Sequence, residues 1–219
     1  MLVILPFFTI NMSKIIIAFT ATLLYAYGLS AQLQTGEHIA VANTAYGKVR
    51  GYVRQGIYTY KGIPYAEAKR FEAPQKPKAW EGVRSSMTYG PVALLVDPTT
   101  NVADESEFVF DHNWGYASED CMRLNIWTPG IGTEKKRPVM FWIHGGGFTA
   151  GSSQELPSYD GATLSQKGDV VVVSINHRLN ILGYLDLSAY GDKYKHSANL
   201  SILDLKAALE WVRDNIANF

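Results

Sequence analysis

The sequence has little of what marks several large classes of protein. It contains one cysteine, Cys121, among 219 residues, so no disulfide can form within the chain, and a buried, unreactive thiol is expected there. Its 20 basic and 20 acidic residues give a net charge of zero. This balance predicts no nucleic-acid partner and no anionic membrane partner. With 47% hydrophobic and 18% charged residues, a globular protein, or a piece of one, that binds small molecules is expected.

No uninterrupted apolar run reaches the roughly 20 residues of a membrane-spanning helix. The apolar run at residues 15–25 follows Lys14 and precedes small residues that end at Ala31, which is the layout of a cleavable secretory signal. Residues 1–31 are therefore predicted to be a signal peptide, with Met12 as an alternative start. A secreted or periplasmic location follows, and an uncleaved signal anchor is the alternative.

The first part of the remaining chain is rich in short β-forming segments. They lie at residues 39–43, 46–53 and 57–60, with turn residues between them. This spacing predicts a small antiparallel β opening.

Three later segments are richer in Val, Ile and Trp, and the last two have little polar alternation. They lie at residues 124–128, 138–144 and 169–176, and a helix is predicted between the last two, over residues 159–167. Strands that are buried on both faces of a parallel sheet have this composition. The sequence therefore predicts an α/β fold with a mostly parallel central sheet, of which residues 32–219 form a part.

The chain ends in a segment with helical periodicity. Its apolar stripe is predicted to consist of Ile202, Leu205, Leu209, Val212 and Ile216. Ser201 and Asp204 match a capping box, which would begin the helix at this point.

The motif with the clearest chemistry is HGGGF, at residues 144–148, directly after the predicted strand. Three glycines at a strand end add nothing to packing, so their role must involve the backbone. Without side chains in the way, the N–H groups of Gly146 and Gly147 can converge on an oxygen atom that becomes negatively charged. This arrangement is typical of the oxyanion loop of lipases and esterases.

Two other interpretations of the glycine run are a plain turn and a phosphate loop. No G-K-[ST] follows the glycines, and the G-x-G-x-x-G spacing of a dinucleotide site is absent. Four aromatic residues could line a substrate pocket, although aromatic residues more often belong to the core. They are Tyr65, Trp114, Tyr116 and Phe148, of which Phe148, beside the glycines, is the predicted substrate-binding residue.

Five segments in the same order resemble the type-B carboxylesterase and cholinesterase family. They are YKGIPYAEAKRF (60–71), SEDCMRLNIWTP (118–129), PVMFWIHGGGF (138–148), VVVVSINHRLNILGYL (170–185) and NLSILDLKAALEWVRDNIANF (199–219). The short segment before Phe71 and the absence of a disulfide mate for Cys121 indicate a bacterial-type esterase.

The resemblance implies an α/β-hydrolase fold and hydrolysis of carboxylic esters by a triad of Ser, Glu or Asp, and His. It implies no metal and no organic cofactor. It also implies that Gly146 and Gly147 occupy the oxyanion-hole positions. Two structural ion pairs follow from it as well, Arg70 with Glu119 and Arg178 with Asp204. We expect these four residues to be scaffold.

The nucleophile of such an enzyme is missing from the sequence. No serine has glycine both two residues before it and two residues after it. The five histidines precede the expected nucleophile, so none is predicted to be the triad base, and His144 is expected to support the glycine loop. Residues 32–219 are thus predicted to be the N-terminal part of a hydrolase domain. A non-catalytic cholinesterase-like binding protein and a non-functional truncated product are the alternatives.

Overall fold

The computed structural model describes residues 32–94, 112–113 and 115–219. The predicted signal peptide, residues 95–111 and Trp114 lie outside these residues. The described strands are β1 (Val41–Thr44), β2 (Gly47–Arg50), β3 (Tyr52–Arg54), β4 (Ile57–Pro64), β5 (Val83–Ser85), β6 (Arg123–Thr128), β7 (Val139–Ile143) and β8 (Val171–Ile175). The described α-helices are α1 (Ala162–Gly168), α2 (Asn180–Tyr184) and α3 (Leu200–Asn215). In this part of the chain, no helix has both the length and the apolar character needed to cross a bilayer.

The small sheet has the strand order β1, β2, β5. β1 pairs antiparallel with β2, which agrees with the predicted antiparallel opening. β5 then pairs parallel with β2 on its other side. Val49 of β2 is fully buried and joins this sheet to the main hydrophobic core.

The large sheet has the order β3, β4, β6, β8, β7. Its first three pairings are antiparallel, and only β7 and β8 are parallel. The prediction of a mostly parallel sheet is therefore wrong for the described strands. Parallel neighbours need a crossover connection, and among the neighbours of the large sheet only β7 and β8 are joined by one, which contains α1.

Burial differs sharply among the three strands that were predicted to be buried on both faces. All residues of β6 and β8 are buried, as predicted. β7 is different, since Met140, Trp142 and Ile143 are 46%, 45% and 47% exposed. Among the described strands β7 pairs only with β8, so it forms an edge of the sheet. Its apolar sequence therefore does not correspond to a buried position here.

Helix α3 buries only part of the predicted stripe. Val212 is buried and Leu205 and Ile216 pack against the core, whereas Ile202 and Leu209 are 49% and 50% exposed. The buried face is rotated toward a neighbouring row of residues, namely Leu200, Asp204, Ala208, Trp211 and Asn215. The predicted capping box is also wrong, because the cap position makes no side-chain hydrogen bond and the Ser201 hydroxyl contacts His177 instead. Buried polar residues on α3 thus hold other elements of the fold.

The two expected ion pairs are present but differ in environment. Arg178 donates to both carboxylate oxygens of Asp204, at 2.9 and 2.6 Å, and the two side chains are 5% and 0% exposed. The Arg178 backbone N–H also donates to Asp204, at 3.1 Å. Arg70 and Glu119 pair at the surface, with side chains 60% and 35% exposed, and the bonded guanidinium lowers the pKa of Glu119. Only the first pair ties buried elements together.

The single cysteine lies inside the protein. Cys121 is 1% exposed, and burial raises the pKa of its thiol to about 12. This agrees with the expected unreactive thiol, since the thiolate is the reactive form.

We predict that Asp204→Ala strongly destabilises the fold, because it leaves the Arg178 guanidinium charged and unpaired inside the protein. The free energy of unfolding should fall by about 3–5 kcal/mol. Urea unfolding of the purified chain measures this change. Glu119→Ala is the matched control and should have little effect, since its ion pair is exposed. Equal losses in the two variants would contradict the assignment of Arg178 and Asp204 as the structural pair.

Candidate active site

The parallel pairing of β7 and β8 brings two chain segments to one edge of the sheet. Val139 is paired with Val171, and Ile143 with Ile175, so both strands end at the same level. His144 follows the first strand directly, and His177 lies two residues beyond the second. In open α/β sheets, ligands bind at the carboxyl ends of the strands. The glycine motif therefore begins where a site is expected.

The loop after β7 has a backbone that requires glycine. Gly146, Gly147 and Gly151 have φ angles of 120°, 61° and 99°, which side chains rarely allow. A Cβ atom on Gly146 would overlap the backbone carbonyl of Ala150. Phe148 adopts a φ of 67° despite its side chain, and its carbonyl accepts a hydrogen bond from the N–H of Asn180 at 2.8 Å. This bond attaches the loop to α2.

Two backbone donors of the loop are free to bind a ligand. The N–H groups of Gly146 and Gly147 donate no hydrogen bond to any described residue, and both residues are exposed. The Gly146 carbonyl, in contrast, accepts bonds from the N–H groups of Thr149 and Ala150, each at 3.1 Å. Since the carbonyl and N–H of one peptide point in opposite directions, these bonds turn the Gly147 N–H away from the loop interior.

A buried polar network supports the segment that follows the loop. The amide of Asn125 donates to the hydroxyls of Ser153 and Ser174, both at 3.0 Å. The Ser153 N–H in turn donates to the Asn176 side chain at 2.8 Å. Tyr65 belongs to this network, because it is 2% exposed and its hydroxyl donates to the Asn176 carbonyl at 2.7 Å. It is thus a core residue, as aromatic residues more often are.

Phe148 lies beside the glycines, as predicted, and is 67% exposed. Its ring meets that of Tyr184 edge to face, with centroids 5.4 Å apart. No sequence pattern indicated Tyr184, which comes close to Phe148 only through the fold of α2. Tyr116 is 62% exposed but borders a separate polar cleft with Arg84. Trp114 lies outside the described residues.

Beneath the loop two imidazole rings are stacked. The rings of His144 and His177 have centroids 4.9 Å apart and planes 17° apart. They are 7% and 5% exposed. Burial lowers the pKa of His144 to about 4 and lowers that of His177 as well, so both rings are neutral near pH 7. His144 supports the loop as expected. The contact with His177 was missed, although the register of the two strands could have indicated it.

The described residues contain no group of three or more His, Cys, Asp or Glu side chains that could hold a metal ion. The loop itself offers the exposed N–H groups of Gly146 and Gly147 as hydrogen-bond donors. Gly146, Gly147 and Phe148 lie together at the surface of the loop, with His144 below them. Whether the two amides bind an oxyanion stays a prediction.

We predict that lowering the pH from 7 to 5 destabilises the fold through the buried histidines. In the unfolded chain His144 binds a proton below its usual pKa of 6.5, whereas in the fold it stays neutral until about pH 4. The contribution of the neutral His144 ring to the free energy of unfolding is therefore fully present above pH 6.5. It decreases as the pH falls, by about 2 kcal/mol at pH 5. Urea unfolding at several pH values measures this loss. His144→Asn should lose less stability between pH 7 and 5 than the parent does. His196→Gln, at an exposed position, should lose as much as the parent. If His144→Asn also loses as much as the parent, the assignment to His144 is wrong.

The chain is similar to known esterases in sequence and in structure. A sequence model described as the Carboxylesterase family matches residues 38–219. Para-nitrobenzyl esterase from Bacillus subtilis (strain 168) is 40% identical over 188 residues, which cover 82% of this chain and 35% of that protein. Phenmedipham hydrolase from Pseudarthrobacter oxydans is 38% identical over 183 residues, covering 82% of this chain and 34% of that protein.

Solved structures of esterases show the same fold. An esterase from Clostridium hathewayi, described as able to hydrolyse aliphatic aromatic polyesters, is 48% identical with a TM-score of 0.80. The match covers 86% of this chain and 37% of that one. The Geobacillus stearothermophilus carboxylesterase EST55 is 44% identical with a TM-score of 0.71, covering 82% of this chain and 35% of that one.

The chain thus spans 35% and 34% of the length of the two curated relatives named above. The matching segment includes both sheets, the glycine loop and α3. These four relatives are bacterial, in agreement with the bacterial type expected from the sequence. Because the family model covers residues 38–219 and the relatives share the fold, the chain belongs to the carboxylesterase family.

Proposed function

We propose that the chain carries the oxyanion-binding part of a serine carboxylesterase that hydrolyses small carboxylic esters. The observation that supports this proposal is the pair of unpaired, exposed N–H groups at Gly146 and Gly147. When a nucleophile attacks an ester carbonyl, the carbonyl oxygen becomes an alkoxide. Two amide donors aimed at this oxygen stabilise the transition state more than the substrate, which lowers the barrier.

In this proposal the residues of the loop have separate tasks. Gly146 and Gly147 donate to the oxyanion, and a third donor would be the amide that follows the nucleophile. Phe148 is exposed beside them and would contact the substrate. No step of this reaction requires a metal or an organic cofactor.

We place the triad outside these 219 residues. No serine in the sequence stands in a G-x-S-x-G elbow, and the buried His144 and His177 lie beneath the loop. The edge strand β7 exposes Trp142 and Ile143, and no described strand pairs with its outer side, where a further strand could bind. A strand of the complete enzyme that pairs there would end beside Gly146, where the nucleophile is needed.

An exported enzyme is part of the same proposal. The charged and apolar pattern of residues 1–31 favours secretion, and the neutral net charge suits a small ester better than a nucleic acid. No observation favours the alternative of a non-catalytic binding protein. The assay below separates the two functions.

The test uses two fusion proteins. In each fusion, residues 32–219 are joined at Phe219 to the remaining C-terminal part of a relative, either para-nitrobenzyl esterase or EST55. The fusion that unfolds cooperatively is then assayed with p-nitrophenyl acetate. We expect saturable turnover from the fusion and none from the 219-residue chain alone. A folded fusion without turnover would overturn the proposed function. Turnover by the chain alone would overturn the placement of the triad.

We further predict that Gly146→Ala in the active fusion lowers kcat by about 10²-fold, because the new Cβ overlaps the Ala150 carbonyl and moves the donor. KM should change little. Gly82→Ala is the matched control, since Gly82 also has a positive φ of 71° but has open space around it. It should leave kcat unchanged. A rise in KM at constant kcat for Gly146→Ala would contradict the oxyanion role.

A further inference from the structure

The two stacked histidines make hydrogen bonds that define which nitrogen carries the proton. Nδ1 of His144 lies 2.8 Å from the carbonyl oxygen of Gly145. A carbonyl oxygen can only accept, so Nδ1 of this neutral ring is the donor. Nδ1 of His177 lies 3.1 Å from the Arg178 carbonyl and 2.8 Å from the Ser201 hydroxyl. Neither Nε2 atom has a hydrogen-bond partner among the described residues.

The bond to Gly145 bears directly on an oxyanion donor. The Gly145 carbonyl and the Gly146 N–H belong to one planar peptide group and point in opposite directions. When His144 holds this carbonyl beneath the loop, the Gly146 N–H is turned outward, toward the exposed side. The direction of this N–H therefore depends on the position of the His144 ring.

The His144 ring is confined on two sides. Gly151 approaches so closely that a Cβ atom there would lie 2.8 Å from His144 Nδ1. The His177 ring lies against it in a stacked arrangement. Removal of the His177 ring would open a space into which His144 could rotate.

His177 is itself fixed to α3. Ser201, at the start of this helix, is fully buried and contacts its Nδ1. The next residue, Arg178, is held by Asp204 of the same helix through its backbone N–H and its guanidinium. Two adjacent links thus keep the His177 ring in place.

We infer that His177 is a positioning residue for ester hydrolysis: anchored by Ser201, its ring holds His144 against Gly145 and so aims the Gly146 N–H at the oxyanion. This inference rests on the proposed function. It adds a residue that touches neither the substrate nor the reacting atoms.

The experiment compares three variants of the active fusion. His177→Ala removes the stacked ring and should lower kcat roughly tenfold with KM within twofold, since the donor is misaimed and not removed. His177→Phe keeps a flat ring against His144 and should restore kcat to within about threefold of the parent. Val49→Ala removes buried volume from the small sheet, far from the loop in sequence, and should lower the melting temperature with kcat unchanged.

A second readout is the affinity of each variant for a trifluoromethyl ketone, which forms a tetrahedral adduct with the nucleophile. For His177→Ala this affinity should fall in parallel with kcat. If His177→Ala keeps the kcat of the parent, or if His177→Phe is as impaired as His177→Ala, the positioning role is wrong. The proposed function is judged separately, by turnover of the parent fusion and its loss in Gly146→Ala.

Discussion

The parallel pairing of β7 and β8 determines where the residues of the candidate active site lie. Their register pairs Ile143 with Ile175 and so brings the residues after both strands to a common level. The glycine loop leaves from one strand and the His177 turn from the other. A shift of one residue in this pairing would place the His144 ring on the other face of the sheet. The antiparallel strands on the far side of β8 provide the buried core against which this pair is held.

The carbonyl groups and the N–H groups of the glycine loop differ in their hydrogen bonding. The carbonyls of Gly145, Gly146 and Phe148 all accept hydrogen bonds from groups of the protein, whereas the N–H groups of Gly146 and Gly147 donate none within the described residues. The bonded Gly145 and Gly146 carbonyls thus fix the planes of two peptides whose N–H groups, on Gly146 and Gly147, stay open to a ligand. Under the proposed function, these donors would need no reorganisation when charge develops, which is the property that makes oxyanion sites effective. Of the residues that bond these carbonyls, His144 is buried beneath the loop, whereas Thr149 is exposed on it.

Sequence patterns predicted the parts of the fold that depend on local chemistry. β6 and β8 were recognised because runs rich in Val, Ile and Trp favour strands. The glycine loop was recognised because three glycines have no use in packing. The patterns failed where the burial of a segment depends on which other elements pair with it. β7 is as apolar as β8, yet it lies at an edge of the described sheet, and its apolar character alone does not distinguish the two positions.

The errors in α3 have the same origin. Leu209 was assigned to the core from its helical periodicity. Asp204 and Asn215 lie on the buried face instead, because each has a hydrogen-bond partner there. Asp204 accepts from Arg178, and the Asn215 side chain accepts from the Ala45 N–H. A polar residue is an acceptable core residue only when such a partner exists, and the partner is distant in sequence. The stacking of His144 on His177 was missed for this reason too. The resemblance to a family supplied the Arg178 pair, which periodicity alone could not.

The burial of Cys121 has a consequence for how the folded chain tolerates its surroundings. Thiol exchange and oxidation proceed through the thiolate, and a sulfur that is both inaccessible and hard to ionise reacts with neither glutathione nor peroxide at a useful rate. As the only sulfhydryl in the sequence, it leaves the native state without a thiol that responds to the redox conditions.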